Sequence, residues 1–257
     1  MIEIKNVSLS YDKITALEDI SLNLKDKSFI GIIGKNGTGK STLLKAITGL
    51  LKPVKGNLFI DNKDIYKMKK KVLAKKISFM PQTMQFDFPF NVKDFIMFGR
   101  YPYINMFKLA SKDDFKIVED VMNFTQTTEF AERNINELSG GEKQKVLLAQ
   151  TLVQQTDIIA LDEPTSHLDI GSQAIIFKLL KMLNKKYNKT IITTIHDLNL
   201  AGEFCSDIVF LDNKKILSFG SAQKVLNCKD IEKVYGLNVV VKNNPVSNKP
   251  IVVPIYN

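Results

Sequence analysis

The sequence predicts an α/β protein with three parts: a parallel core sheet carrying a glycine-rich loop, an N-terminal antiparallel β subdomain and an inserted helical subdomain. Three observations carry this. Phe29 to Ile33 is an unbroken apolar run that stops at Gly34, as a strand buried on both faces does. A glycine-rich stretch and then a helical pattern follow directly. Two more apolar runs, 158–161 and 191–195, flank a helical repeat over 173–186, which is the strand–helix alternation of a parallel sheet.

The elements follow in chain order. Ile2, Ile4, Val7 and Leu9, then Ile20, Leu22 and Leu24, alternate with polar residues and predict an antiparallel pair. After the glycines, Leu43, Leu44, Ile47 and Leu50 share one helix face, closed by Gly49 and Pro53. Lys67 to Lys76 interleaves lysines with Met68, Val72, Leu73 and Ala74 and predicts an exposed amphipathic helix. Ile77 to Met80 is a short strand ending at Pro81. From 82 to 153 strand runs vanish and helical spacing dominates, as in Phe115, Val118, Val121 and Met122, so this stretch reads as a helical insert. The helix over 173–186 carries Ile176, Leu179, Leu180 and Leu183. Beyond about 225 the chain is expected to be looser and holds three prolines, giving a domain over 1–225 and a C-terminal extension over 226–257.

Composition narrows the class. The 257 residues are 44% hydrophobic and 25% charged, the balance of a soluble globular protein. No apolar run approaches the ~20 residues of a membrane-spanning helix, and the first residues carry charge where a signal peptide is apolar. Residence in the cytoplasm is expected. Cys205 and Cys228 have neither metal-site nor disulfide spacing. The net charge is +9, yet only Arg100 and Arg133 are arginines. The lysines are scattered without interleaved aromatics, which reads as a solvated face with no nucleic-acid partner.

Gly34-Lys-Asn-Gly-Thr-Gly-Lys-Ser-Thr42 fits G-x-x-x-x-G-K-[ST] between a strand and a helix. Backbone amides of such a loop turn onto phosphate oxygens, and the helix behind points its positive end at the same anion. Lys40 adds charge on the terminal phosphates, and Ser41 offers a hydroxyl to Mg²⁺. The strand at 158–161 delivers Asp162 and Glu163 to its C-terminal end. Asp162 suits Mg²⁺, and Glu163 suits a base that polarises water.

Leu138-Ser-Gly-Gly-Glu142 resembles the signature motif of ATP-binding cassette (ABC) proteins. Its hydroxyl, glycine amides and helix start form a second anion nest. The resemblance extends, in order, through residues 1 to 225. It implies that Tyr11 stacks on adenine, that Gln82 senses Mg²⁺, that Ser166-His-Leu-Asp169 is a loop crossing to a partner subunit, and that His196 contacts the γ-phosphate. It implies ATP contacts at Tyr11, Gly34, Asn36, Gly37, Thr38, Gly39, Lys40, Ser41 and Thr42. Ser139, Gly140, Gly141 and Glu142 of a second copy would complete the site, in a homodimer closing head to tail. The catalytic set implied is Glu163, His196, Lys40 and Gln82, with Mg²⁺ at Ser41, Gln82 and Asp162. Glu142, Lys145 and Gln150 depart from the commonest residues of the family and touch no catalytic position.

Gly99-Arg-Tyr-Pro-Tyr103, Thr194-Ile-His-Asp-Leu-Asn-Leu-Ala201 and the tail from Val234 resemble ATPases of bacterial importers for iron–siderophore, haem and cobalamin, the ferric-siderophore branch above all. That implies a peripheral protein on the cytoplasmic face of the cell membrane, bound to permease subunits and served indirectly by a periplasmic or surface substrate-binding protein. Phe86, Phe88, Phe90, Phe95 and Phe98 lie where the family receives a permease helix. The alternatives are a haem or cobalamin importer ATPase, or a soluble single-cassette protein of the iron–sulfur assembly type. A GTPase is disfavoured, because neither Asp-x-x-Gly nor Asn-Lys-x-Asp occurs.

Overall fold

A computed structural model describes residues 1–84, 88–104, 109–166 and 168–256. In chain order the first elements are β1 (Ile2–Tyr11), β2 (Ile14–Leu24), β3 (Phe29–Ile33), α1 (Lys40–Ile47), β4 (Lys55–Ile60) and β5 (Lys63–Asp64). Then come α2 (Lys70–Ala74), β6 (Ile77–Met80), α3 (Val92–Met97), α4 (Lys112–Thr125), α5 (Gly140–Leu152), β7 (Ile158–Leu161) and α6 (Ile170–Tyr187). The last are β8 (Thr190–Thr194), α7 (Leu198–Phe204), β9 (Asp207–Asp212), β10 (Lys215–Ser221), α8 (Ala222–Val225), α9 (Cys228–Tyr235), β11 (Val239–Asn243) and β12 (Pro250–Pro254). Two compact units are built from these, one from 1–68 with 180–257 and one from 69–179.

In the first unit, β1 pairs antiparallel with β2 and β4, so Ile2, Ile4, Val7 and Leu9 face inward with Ile20, Leu22 and Leu24. β3 lies parallel between β8 and β9, and every β3 residue is buried. β10 returns antiparallel along β9. α1 is shorter than the apolar spacing predicts. Gly49 takes a left-handed φ of 77° and turns the chain, leaving Leu50 outside the helix and 63% exposed. The lysine-rich stretch also differs from expectation. Its helix is only the five residues of α2, because Met68 and Lys69 are extended at ψ 144° and 134°.

The C-terminal segment is not loose. α9 starts from an Asn227 cap that accepts from the Asp230 amide, and β11 and β12 pair in register from Val239↔Pro254 to Asn243↔Pro250. The Asn199 side chain on α7 clips this hairpin, accepting from Val252 N–H at 2.7 Å and donating to its carbonyl at 3.3 Å. Pro250 and Pro254 occupy the two ends of β12, where a missing N–H costs the ladder little, and Pro245 lies between β11 and β12.

In the second unit, β6 and β7 pair in parallel. The helical insert is tied together by one buried arginine. Arg100 donates through Nε to Asp114 Oδ1 at 2.9 Å and through Nη1 to the Val153 carbonyl at 2.8 Å and Gln155 Oε1 at 3.0 Å. Its guanidinium lies 4.1 Å from the Tyr103 ring centroid, and the Tyr103 hydroxyl donates to the Gln154 carbonyl at 2.9 Å. The stretch 99–103 is thus the joint between the segment after α3, the cap of α4 and the end of α5. In α4, Val118 and Met122 are buried as spaced, while Phe115 is half-exposed. Asp169 starts α6 earlier than the apolar repeat does, accepting from the Ser172 N–H at 2.9 Å.

Candidate functional site

The glycines of the loop 34–42 have the backbone that phosphate binding needs. Gly34, Gly37 and Gly39 all have positive φ. At Gly34 (147°) the Leu211 carbonyl leaves no room for a side chain. Gly39 (98°) is the N-cap of α1 and supplies no side-chain acceptor, so the first-turn amides face outward for an anion. Lys40 is 5% exposed and folds back over the loop, donating from Nζ to the carbonyls of Gly34 at 3.0 Å and Lys35 at 3.1 Å. The Thr38 hydroxyl donates to Lys35 O at 2.9 Å, which closes the turn. Asn36 and Gly37 are exposed at its tip, Ser41 is half-buried and Thr42 is buried. In the same unit Tyr11 ends β1 with 45% exposure, and His196 is exposed just after β8. Asp197 caps α7 by accepting from Asn199 N–H and Leu200 N–H.

The second unit holds the carboxylates. Asp162 is 4% exposed at the end of β7, its N–H donating to the Met80 carbonyl at 2.9 Å. Glu163 has φ 48°, a left-handed conformation uncommon for a residue with a side chain and of the kind found at functional sites. Two contacts hold it there: the Ser166 N–H and the Gln144 side chain both donate to its carbonyl, at 3.1 and 3.2 Å. Gln82 donates from Nε2 to Glu163 Oε2 at 2.6 Å. The amide therefore fixes one carboxylate oxygen of the candidate base. Gln144 carries no motif signal.

Ser139 and Glu142 form a reciprocal cap on α5. The Glu142 N–H donates to Ser139 Oγ at 3.4 Å, and the Ser139 N–H donates to Glu142 Oε2 at 2.7 Å. Hydrogen bonds from the Ser139 side chain and backbone to the carboxylate, helped by the charges of Arg133 and Lys145, hold the Glu142 carboxyl below its ordinary pKa. The glutamate, a departure from the commonest family residue, thus has a local use. The cap opens into a cleft of about 340 Å³ lined by Ser139, Gly141, Glu142, Lys145, Leu168 and Asp169, with Ser172 and Ile176 behind. Asp169 spends both oxygens on Ser172, whose N–H and hydroxyl keep its carboxyl below the ordinary value. His167 of this loop lies outside the described residues.

The aromatic stretch divides. Phe95 is 5% exposed and packs edge-on against Phe98 at 6.3 Å between centroids. Phe90 meets Phe98 at 5.1 Å and Phe88 at 6.3 Å. Phe88 and Phe98 are 67% and 47% exposed, so part of the cluster faces solvent. Phe86 lies outside the described residues. Among the described residues no helix is long and apolar enough to cross a membrane.

Residues 17–166 match the family described as ABC transporter. The chain is 36% identical over 253 residues to the petrobactin import ATP-binding protein FpuD of Bacillus anthracis, covering 98% of this chain and 93% of the relative. It is 34% identical over 251 residues to the ferric enterobactin transport ATP-binding protein FepC of Escherichia coli, covering 98% and 93%. A solved dimeric ATP-binding cassette, in a post-hydrolysis state with ADP and Pi, superposes with a TM-score of 0.78 at 30% identity, over 86% of this chain and 99% of that one.

Proposed function

The chain belongs to the ABC transporter family, and from that premise we propose that it is the ATP-hydrolysing subunit of an importer for iron(III)–siderophore complexes. The observation that carries the cargo class is the near-complete alignment with FpuD and FepC, whose names place them in petrobactin import and ferric enterobactin transport.

The chemistry follows from the two units. The loop 34–42 receives the phosphates of ATP, with amides and the α1 N-terminus facing the anion and Lys40 exchanging its carbonyl partners for phosphate oxygens. Mg²⁺ would be held, as the family resemblance implies, by Ser41, Gln82 and Asp162, oxygen donors of the hard kind this ion takes beside phosphate and water. It would supply charge neutralisation at the phosphates. Glu163 orients the attacking water through its Oε1, with Gln82 fixing Oε2. His196 supports the γ-phosphate, and Tyr11 the adenine ring.

The cleft at Ser139–Glu142 is the second half of a site whose first half lies on another copy of the chain. Two copies closing head to tail hold ATP between them, and hydrolysis releases them. Their closing and opening rocks a membrane permease between its states. The exposed face of Phe88 and Phe98 seats the permease helix. The protein then works as a peripheral subunit on the cytoplasmic side of the membrane, and a substrate-binding protein outside supplies the cargo.

Lys40→Ala should weaken MgATP binding roughly 10- to 100-fold, the worth of hydrogen bonds from a charged donor, as read by titration calorimetry. A cell lacking the chain should stop accumulating radio-iron offered as a ferric siderophore, with uptake restored by the wild type and not by Lys40→Ala. Unchanged ATP affinity overturns the site, and uptake that persists without the chain overturns the cargo.

A further inference from the structure

The C-terminal segment reaches the phosphate loop from behind. α9 ends at Tyr235, where Gly236 turns left-handed at φ 71°. The Tyr235 ring lies 6.3 Å from the Phe210 ring at 32°. Phe210 is fully buried on β9 and pairs with Ile33, the residue before Gly34. Leu211, the next β9 residue, presses its carbonyl against Gly34. The tyrosine therefore stands one packed ring away from the start of the loop.

Its hydroxyl is buried and has no hydrogen bond among the described residues, while the Gly34 backbone lies near enough to pull on its proton. Native structures hold few such groups, and each calls for an explanation. The carbonyl of the same glycine accepts from Lys40. Gly34 thus sits between the cation of the loop and the C-terminal helix. α9 is a fixed platform for this contact, capped by Asn227 at its start, and the hairpin that follows is clipped to α7 by Asn199. Burial also keeps the phenol protonated against the opposing pull of the Gly34 backbone.

We propose that Tyr235 is a positioning residue of the nucleotide site: its hydroxyl closes a hydrogen bond with the Gly34 backbone when the loop wraps phosphate, so that the C-terminal segment presets the loop for ATP. The inference rests on ATP binding at 34–42. A bond made in the wrapped loop and unmade otherwise favours the bound shape alone. It therefore acts on nucleotide affinity without adding to the stability of the free chain.

Tyr235→Phe keeps the ring on Phe210 and removes only the hydroxyl. The KM for MgATP should rise roughly 2- to 10-fold, the worth of one hydrogen bond, with kcat within about 2-fold. The melting temperature without nucleotide should equal or exceed that of the wild type, because a buried hydroxyl without a bond destabilises. A KM equal to the wild type overturns the inference. So does a KM rise matched by a fall in nucleotide-free melting temperature, since the hydroxyl would then serve folding. If Lys40→Ala loses ATP affinity while Tyr235→Phe behaves as wild type, the loop assignment stands and this inference alone fails.

Discussion

Replacing Glu163 by glutamine lowers steady-state ATP turnover by about 10²- to 10⁴-fold, the range a positioned general base supplies, and leaves MgATP binding intact. The reason lies in how the residue is held. Its backbone sits at φ 48°, pinned through its carbonyl by Ser166 and Gln144, and one side-chain oxygen takes the Gln82 amide. Glutamine keeps the shape and can keep that contact through its own oxygen, but it cannot accept a proton from water. The loop 34–42 is untouched by the change. Single-turnover hydrolysis and nucleotide titration separate the two effects, and turnover within about tenfold of the wild type removes Glu163 from the role of base.

Arg100→Ala should destabilise the helical insert by about 3–5 kcal/mol, the cost of leaving one member of a buried ion pair without the other. The melting temperature should fall by roughly 6–20 °C on that account. Arg100 and Asp114 side chains are 6% and 11% exposed, and the same guanidinium serves Val153, Gln155 and Tyr103. Burial works against ionisation of Asp114, but hydrogen bonds from Ser111 and the Arg100 contact outweigh it and hold its carboxyl below the ordinary value. A depressed carboxylate stabilises fully above its unfolded pKa of about 4 and loses that contribution as pH falls through its folded value. The gap in melting temperature between wild type and Arg100→Ala should therefore narrow as the pH drops below about 4. A gap that stays constant with pH, or a loss under about 1 kcal/mol, contradicts the ion pair as the joint.

What was legible in the sequence was whatever depends on local geometry. Glycines at 34, 37 and 39 announce positive φ, and the run 29–33 announces a buried strand, because backbone sterics and burial act residue by residue. The Ser139–Glu142 cap was legible for the same reason, as its partners lie three residues apart. Contacts between distant residues were not legible. Gln82 and Glu163 are 81 positions apart, and nothing in either segment reports the 2.6 Å bond between their side chains. Glu163 looks like any acidic residue after a strand, since its left-handed backbone is imposed by neighbours and not by its own type. The stretch 99–103 carried the family resemblance but hid its physical role, which becomes clear only when Arg100 meets Asp114 and Val153. The order of the C-terminal segment, which holds three prolines, was not legible either. Pro250 and Pro254 fall at the ends of β12, and the polar clip from Asn199 does what an apolar pattern did not announce.

Completion of each ATP site by Ser139–Glu142 of a second copy makes pairing of two chains depend on nucleotide. The most direct measurement is the mass in solution, by light scattering, of the Glu163→Gln chain with saturating MgATP, alone and with Gly141→Asp added. Asp in the first turn of α5 suits a helix N-terminus, and a Cβ added at Gly141 would meet, among the described residues, the end of the Leu168 side chain at 3.2 Å, which can give way, so the chain should still fold. In the cleft, however, the new carboxylate repels phosphate. A shared site gives about twice the 29.1 kDa of one chain for Glu163→Gln and the mass of one chain for the double variant, with each still binding ATP. A Glu163→Gln chain that keeps the mass of one copy at saturating MgATP, or a double variant that pairs as readily, contradicts the shared site.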